Sequence, residues 1–146
     1  MVLDLYLDLD HKRLFLRLRD WFSGGKCTSA ARLEGKVAVV TGGNTGIGKE
    51  TVLELVRRGA RVIIGCRDVE KGRAVAERAR TVLGGEVEVV ALDLADLHSV
   101  RRFGEKCLEE SRVDLLVNNA GLMMPKEGAQ TKQGFEVGMM SSPVKF

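Results

Sequence analysis

The stretch Thr41-Gly-Gly-Asn-Thr-Gly-Ile-Gly48 constrains the fold more than any other part of this sequence. An apolar run, Lys36 to Val40, leads into it, and apolar residues at helical spacing follow it. This pattern predicts a glycine-rich turn between a buried strand and a helix. Such a turn leaves backbone N–H groups unpaired at the positive end of the helix, and glycines let a phosphate approach the backbone closely. The turn therefore predicts a nucleotide site.

The rest of the sequence alternates strand and helix patterns. Further β-rich runs at 61–66, 86–92 and 113–117 are separated by segments in which apolar or small residues recur every three or four positions. Strands separated by helices pair in parallel, with helices on both faces of the sheet. We therefore expect an α/β fold with a doubly wound parallel sheet, Rossmann-like but incomplete, of four strands in the order 3-2-1-4. One face of the first helix is expected to carry its packed residues, Ile47, Thr51, Val52, Leu55 and Val56.

In this strand order the first and fourth strands meet at the switch point, where doubly wound sheets bind their ligands. The end of the first strand carries the turn from Gly42 to Gly48, and the end of the fourth carries Asn118-Asn-Ala-Gly121. Two turns of small and polar residues are therefore expected to meet at the ligand. On the glycine spacing alone, a purely structural turn stays open as the alternative, because glycine turns are common.

The residues after the second and third strands bear on the choice of cofactor. At the position of Arg67 an acidic residue would accept hydrogen bonds from ribose hydroxyls, whereas an arginine pairs with the 2′-phosphate of NADP. Asp68 follows directly, but its better use is as the N-cap of the next helix, so the charges favour NADP. Asp93 and Leu94 follow the third strand; Asp93 either lies near the adenine amino group or forms a turn.

Composition narrows the classes of partner. With 146 residues, 45% hydrophobic and 29% charged, the chain has the balance of one soluble α/β domain. Its net charge of +3 is spread among acidic residues, which argues against nucleic acid. Cys27, Cys66 and Cys107 are widely spaced, which indicates neither a metal cluster nor a disulfide framework and favours an intracellular, reducing compartment.

Residues 1–35 differ from the rest and are interpreted as a leader, ahead of a nucleotide-binding half-domain at 36–136 and a divergent tail at 137–146. Charges interrupt every apolar run of the leader, so neither a transmembrane helix nor a secretory signal is expected. From Lys12 to Phe22, leucines and aromatic residues alternate with arginines. This piece is either a short helix on a membrane surface, or else a poorly ordered leader or a cover for a domain edge.

Three motifs in order resemble the cofactor half of the short-chain dehydrogenase/reductases: the turn from Thr41 to Gly48, Asp93-Leu94, and Asn118-Asn-Ala-Gly121. Further stretches are similar to the NADP-preferring retinol dehydrogenases of the microsomal and mitochondrial type. These stretches are Thr45-Gly-Ile-Gly-Lys-Glu-Thr51, Arg58-Gly-Ala-Arg61 and Cys66-Arg-Asp-Val-Glu-Lys-Gly72, within a resemblance that runs from about Ser23 to Glu136.

The resemblance implies a reaction and a set of residues that contact the cofactor. It implies hydride transfer between NADP(H) and a retinoid or similar lipophilic alcohol or aldehyde, and a membrane-associated location at the endoplasmic reticulum or mitochondrion. It assigns Arg67 to the 2′-phosphate, and Asp93 and Leu94 to the adenine. The residues implied for the pyrophosphate are Gly42, Asn44, Thr45, Gly46, Ile47 and Gly48, and those for the ribose side are Asn118, Ala120 and Gly121.

The family's catalytic Ser and Tyr-x-x-x-Lys are missing from this sequence. Its one tyrosine, Tyr6, is followed four residues later by Asp10 rather than by lysine, and no tyrosine follows Ser141 and Ser142. No catalytic residue is therefore assigned, and the chain is expected to be inactive alone. A sheet that ends at 113–117 is expected to leave an apolar edge open for pairing with a partner. The alternative function is a non-catalytic nucleotide-binding or interaction module.

Overall fold

A computed structural model of the chain describes residues 29–121 and 128–136. The leader segment from Lys12 to Phe22 and the tail at 137–146 lie outside the described residues. Within the described residues, no helix is long and apolar enough to cross a membrane. The elements belong to a unit that begins at Arg32. In chain order they are β1 (Val37–Thr41), α1 (Gly46–Arg57), β2 (Arg61–Cys66), α2 (Val69–Leu83), β3 (Val87–Ala91), α3 (Leu97–Cys107) and β4 (Leu115–Val117).

The strands form one parallel sheet in the order β3-β2-β1-β4, which confirms the predicted fold class and strand order. Val39 at the centre of β1 pairs with Ile63 of β2 and with Leu116 of β4. The fourth strand begins two residues later than predicted. Just before it, the Asp114 N–H donates to the Val37 carbonyl at 2.9 Å, but the Val37 N–H donates to the Asp114 carboxylate instead of to a backbone carbonyl.

Each face of the sheet has its own core cluster. Side chains of β1 and β2 alternate between the two faces, and both strands are buried on both sides, as the continuous apolar runs predicted. The face under α1 and α2 includes Ala38, Val40, Val62, Ile64, Val52 and Val75. The opposite face packs against α3 and includes Val37, Val39, Ile63, Leu92 and Phe103.

The packed face of α1 differs from the prediction at the start of the helix. Val52 and Val56 are buried as expected, and so is Leu53, which was not assigned to that face. Ile47, in contrast, is 82% exposed. It lies in the first turn of the helix, next to the glycine turn rather than over the sheet, so the core does not cover it.

β4 forms an edge of the sheet in the described part of the chain. Leu116 shares the α3 face with Val39, but Leu116 is 63% exposed and Val39 is buried. The difference arises because α3 covers this same face nearer β2, where Phe103 lies against Gly65, and leaves the part of the face at β4 uncovered. Pairing of the β4 edge with a partner stays a prediction.

Asp114 joins the start of β4 to the start of β1. Its carboxylate accepts hydrogen bonds from the Val37 N–H and from Lys36 Nζ, both at 3.0 Å, and also pairs with Arg112. These donors, the Val37 N–H first among them, lower the pKa of Asp114 to about 2. The ionised carboxylate is therefore the form that holds the two strands together.

The lowered pKa of Asp114 predicts an acid-sensitive contribution to stability. Because the folded-state pKa lies below its ordinary value, the unfolded chain binds more protons over the interval between the two. The free energy of unfolding should therefore fall as the pH drops from about 5 towards about 2. Urea unfolding at pH 7 and pH 3 should show a smaller acid-induced loss for Asp114→Asn than for wild type. Glu105→Gln, which changes an exposed carboxylate on α3, should keep the wild-type pH dependence; the same dependence in both variants would contradict the assignment.

Candidate nucleotide-binding site

The glycine turn occupies 42–45, between the end of β1 and the start of α1, at the carboxyl edge of the sheet. Gly42 has a φ of 67° and Gly46 a φ of 54°, in the left-handed region that favours glycine. A Cβ atom on Gly42 would also lie 2.9 Å from the Cα of Ala120. Glycine at this position therefore lets the turn after β1 and the turn after β4 touch, as the predicted strand order requires.

Two further glycines let α1 pack closely on the turn. A Cβ on Gly48 would collide with the carbonyl oxygen of Gly42 and with the side-chain nitrogen of Asn119. A Cβ on Gly43, in the turn, would lie 2.8 Å from a methyl group of Val52 in α1. The first turn of α1 is thus seated directly against both turns of the switch point.

The Thr41 hydroxyl ties the two turns together, a role that the sequence analysis did not assign. Its Oγ1 accepts hydrogen bonds from the backbone N–H groups of Asn119 and Ala120, each at 3.1 Å. In the other direction, Asn119 Nδ2 donates to the carbonyls of Thr41 at 3.0 Å and Gly42 at 3.2 Å. We call these hydrogen bonds between Thr41, Gly42, Asn119 and Ala120 the switch-point clamp. Thr41 is buried, and the other three clamp residues are half-buried.

The N-terminus of α1 differs electrostatically from those of α2 and α3. Its N-cap residue, Thr45, makes no side-chain capping hydrogen bond, and the first turn has no acidic residue and includes Lys49. The other two helices are capped by the carboxylates of Asp68 and Asp96, which accept backbone N–H groups. Among the residues that the structure describes, no carboxylate caps the first-turn N–H groups of α1, and a phosphate group fits them in charge and in hydrogen bonding.

Arg67 and Asp68 have separate environments after β2. Asp68 Oδ1 accepts the Lys71 N–H at 3.0 Å, and Oδ2 pairs with Lys71 Nζ at 3.0 Å. The Lys71 N–H in particular lowers the pKa of Asp68. The predicted role of Asp68 as the cap of α2 is therefore confirmed. Arg67 is exposed and, among the residues that the structure describes, its guanidinium has no hydrogen bond or ion pair.

Asp93 forms a turn after β3. Its Oδ1 accepts the Ala95 N–H at 3.0 Å, and its own N–H donates to Ser99 Oγ at 2.9 Å. Leu94 is partly buried against the core on the α3 face. The turn-forming alternative is therefore present, and it uses one carboxylate oxygen. The other oxygen has no hydrogen-bond partner within 29–121 and 128–136, so an adenine contact remains compatible with it.

The predicted site residues share one edge of the sheet. Arg67 follows β2, the strand beside β1 and its glycine turn, and Asp93 follows β3, one strand further out. After β4, Asn118 and Gly121 are exposed, whereas Asn119 is committed to the switch-point clamp. The sequence analysis missed the clamp roles of Thr41 and Asn119. The signals that could have indicated them are a threonine at the end of the first strand and two consecutive asparagines after the fourth.

A doubly wound parallel sheet with a glycine turn and an uncapped helix N-terminus at its switch point defines a nucleotide-binding α/β protein. The chain belongs to the short chain dehydrogenase family, whose family model matches residues 36–139. This match confirms the predicted family and its Rossmann-like fold, with which a nicotinamide cofactor is associated.

Individual relatives are similar over most of this chain. Human retinol dehydrogenase 11 is 51% identical over 123 residues, which cover 83% of this chain and 38% of that protein. Human retinol dehydrogenase 13 is 49% identical over 122 residues, 82% of this chain and 37% of that protein. A metagenomic short-chain oxidoreductase, solved in complex with NADP, is 42% identical with a TM-score of 0.60, over 65% of this chain and 47% of that one. The chain therefore spans less than half the length of the curated relatives it matches.

The switch-point clamp predicts a specific effect of removing the Thr41 hydroxyl. Thr41→Val keeps the shape of the side chain but leaves the N–H groups of Asn119 and Ala120 without their acceptor, so the free energy of unfolding should fall by about 2 kcal/mol. Thr41→Ser keeps the acceptor and should lose less than about 1 kcal/mol. Urea denaturation of the whole chain measures both, and equal losses would show that the hydroxyl is not the connecting group.

Proposed function

We propose that this chain binds NADP(H) at the carboxyl edge of its sheet, as the nucleotide-binding part of a retinol dehydrogenase-like oxidoreductase. The observation that carries the proposal is the N-terminus of α1, which no carboxylate caps and which is seated against Gly42. A pyrophosphate there accepts hydrogen bonds from first-turn N–H groups and is attracted by the helix dipole. We assign the nucleotide-binding domain to 36–136.

The remaining contacts follow the order of the strands. The adenine lies towards Asp93 and Leu94 after β3, and the 2′-phosphate pairs with Arg67 after β2. The nicotinamide ribose lies towards β4. The residues proposed for the pyrophosphate are Gly42, Asn44, Thr45, Gly46, Ile47 and Gly48, and those for the ribose side are Asn118, Ala120 and Gly121.

The preference for NADP over NAD is proposed from the charges after β2. A ribose with free hydroxyls needs an acceptor, and the nearest carboxylate, that of Asp68, is already held by both the N–H and the ammonium group of Lys71. The Arg67 guanidinium offers only donors, which suit a phosphate. The similarity to a short-chain oxidoreductase solved with NADP supports the same choice.

The proposed reaction of the whole oxidoreductase is hydride transfer between NADP(H) and a retinoid or similar lipophilic alcohol or aldehyde, and a membrane-associated location belongs to the same proposal. The cofactor supplies or accepts the hydride when bound. This chain's own residues bind and orient the cofactor, and we propose that the chain alone does not turn over. Its one tyrosine, Tyr6, has no lysine four residues later.

A non-catalytic module is the second candidate, favoured by the exposed Leu116 at the β4 edge.

Arg67 is the sharpest test of cofactor choice. Removing its guanidinium in Arg67→Leu should weaken NADPH binding about 30-fold, as expected for the loss of charge-assisted hydrogen bonds. NADH lacks the 2′-phosphate, so its affinity should stay within about twofold. Fluorescence titration with both nucleotides gives the ratio, and Arg78→Leu on the exposed surface of α2 serves as the control. NADPH binding as tight as that of wild type would refute the assignment.

Binding without turnover is the second test. NADPH at about 100 times its dissociation constant should raise the free energy of unfolding by about 2.7 kcal/mol, visible as a thermal shift. Incubation of the same sample with retinal should leave the absorbance of NADPH unchanged. Oxidation of NADPH would overturn the proposed inactivity, and the absence of a thermal shift would overturn the nucleotide site and favour the interaction module.

A further inference from the structure

The segment 128–136 follows the turn after β4 along the chain, yet it is hydrogen-bonded to the turn after β3, more than 30 residues earlier in the sequence. Thr131 is buried and closes a tight loop. Its N–H donates to the Phe135 carbonyl at 2.7 Å, and its Oγ1 accepts the Phe135 N–H at 3.0 Å. Gly134, with a φ of 81°, completes the loop. The loop is thus held in one conformation by its own hydrogen bonds and presents the residues between Thr131 and Gly134.

Lys132 joins this loop to the turn after β3 at two points. Its Nζ lies 2.7 Å from Asp96 Oδ2, and its backbone N–H donates to the Ala95 carbonyl at 3.0 Å. Gln133 adds a hydrogen bond from Nε2 to Asp96 Oδ1 at 3.2 Å. The Lys132 ammonium, chiefly, holds the pKa of Asp96 well below its usual range, so the pair is ionised.

The two residues that Lys132 contacts, Ala95 and Asp96, both donate hydrogen bonds to Asp93, which is also bonded to Ser99. The Ala95 N–H donates to Asp93 Oδ1 at 3.0 Å, and the Asp96 N–H donates to the Asp93 carbonyl at 3.1 Å. Lys132 is therefore one residue removed from the carboxylate assigned to the adenine. Its side chain is 67% exposed, whereas that of Asp96 is only 10% exposed. The Asp96 carboxylate also accepts hydrogen bonds from the His98 N–H and from Gln133 Nε2, so it keeps two donors when the Lys132 ammonium is removed.

We propose that Lys132 is a positioning residue for the adenine end of the nucleotide site. Through Ala95 and Asp96 it fixes the turn that begins at Asp93, so that the unbonded carboxylate oxygen of Asp93 meets the adenine amino group. Lys132 itself touches no atom of the cofactor. The inference rests on the proposed binding of NADP(H).

The test compares NADPH with its hypoxanthine analogue, in which a carbonyl oxygen replaces the adenine amino group. Wild-type chain should prefer NADPH, because a carboxylate accepts a hydrogen bond from the amino group and repels the carbonyl oxygen. In Lys132→Met this preference should shrink about fivefold, and Lys132→Arg should restore it. Lys106→Met is the control. Lys106 lies on α3, the helix that Asp96 caps, and pairs with Glu109 and Glu88 rather than with the turn after β3, so its removal should leave the preference unchanged.

Each outcome separates the inference from the function on which it rests. Failure of the wild-type chain to bind either nucleotide overturns the proposed function. If wild type binds and folded Lys132→Met keeps the wild-type base preference, the inference alone is overturned. An equal loss of affinity of Lys132→Met for both nucleotides also overturns it, because that result indicates a general structural role. If Lys132→Met does not fold, Lys132→Gln is measured in the same way. Equal affinity of wild type for both nucleotides overturns the adenine assignment of Asp93 and the inference with it.

Discussion

The hydrogen bonds of the switch-point clamp fix the geometry on which the rest of the site depends. Adjacent parallel strands that lead to opposite faces of a sheet leave a crevice at their carboxyl ends, and its width is set by how closely the two turns approach. Here Thr41 and Asn119 bond in both directions, and Gly42 has no side chain to hold Ala120 away. Because the same turn also seats the first turn of α1, the clamp fixes the position of the N–H groups that we assign to the pyrophosphate.

The placement of carboxylates then decides which helix attracts an anion. All three helices begin at the same edge of the sheet, so their positive ends lie on one side of the domain. Asp68 and Asp96 neutralise two of them, and both carboxylates are paired with a lysine as well. Thr45 leaves the third without a cap. In the described part of the chain, α1 is therefore the helix whose positive end no carboxylate neutralises, which makes it the helix end best suited to an anion.

Local patterns in the sequence were enough to predict the fold and the residue that caps α2. The apolar runs gave the buried strands, their alternation with helices gave the order 3-2-1-4, and the adjacent charges of Arg67 and Asp68 predicted which of them caps α2. Ile47 was assigned to the core wrongly, because periodicity identifies a helix face but not where the sheet beneath it ends. Thr41 and Lys132 were missed because their partners lie far away in the sequence, and single long-range hydrogen bonds leave no periodic signal.

The coverage of the sheet divides the proposed cofactor site into two unequal parts. On the face that α3 covers, Ile63 and Val39 are buried, whereas Leu116 on the neighbouring β4 is mostly exposed. The adenine side, at the ends of β2 and β3, is supported by a packed helix and by the loop that carries Lys132. The side proposed for the nicotinamide, at the end of β4, is supported by the switch-point clamp. In the described part of the chain, the adenine side of the proposed site therefore has more structural support than the nicotinamide side, because both a packed helix and a hydrogen-bonded loop lie behind it.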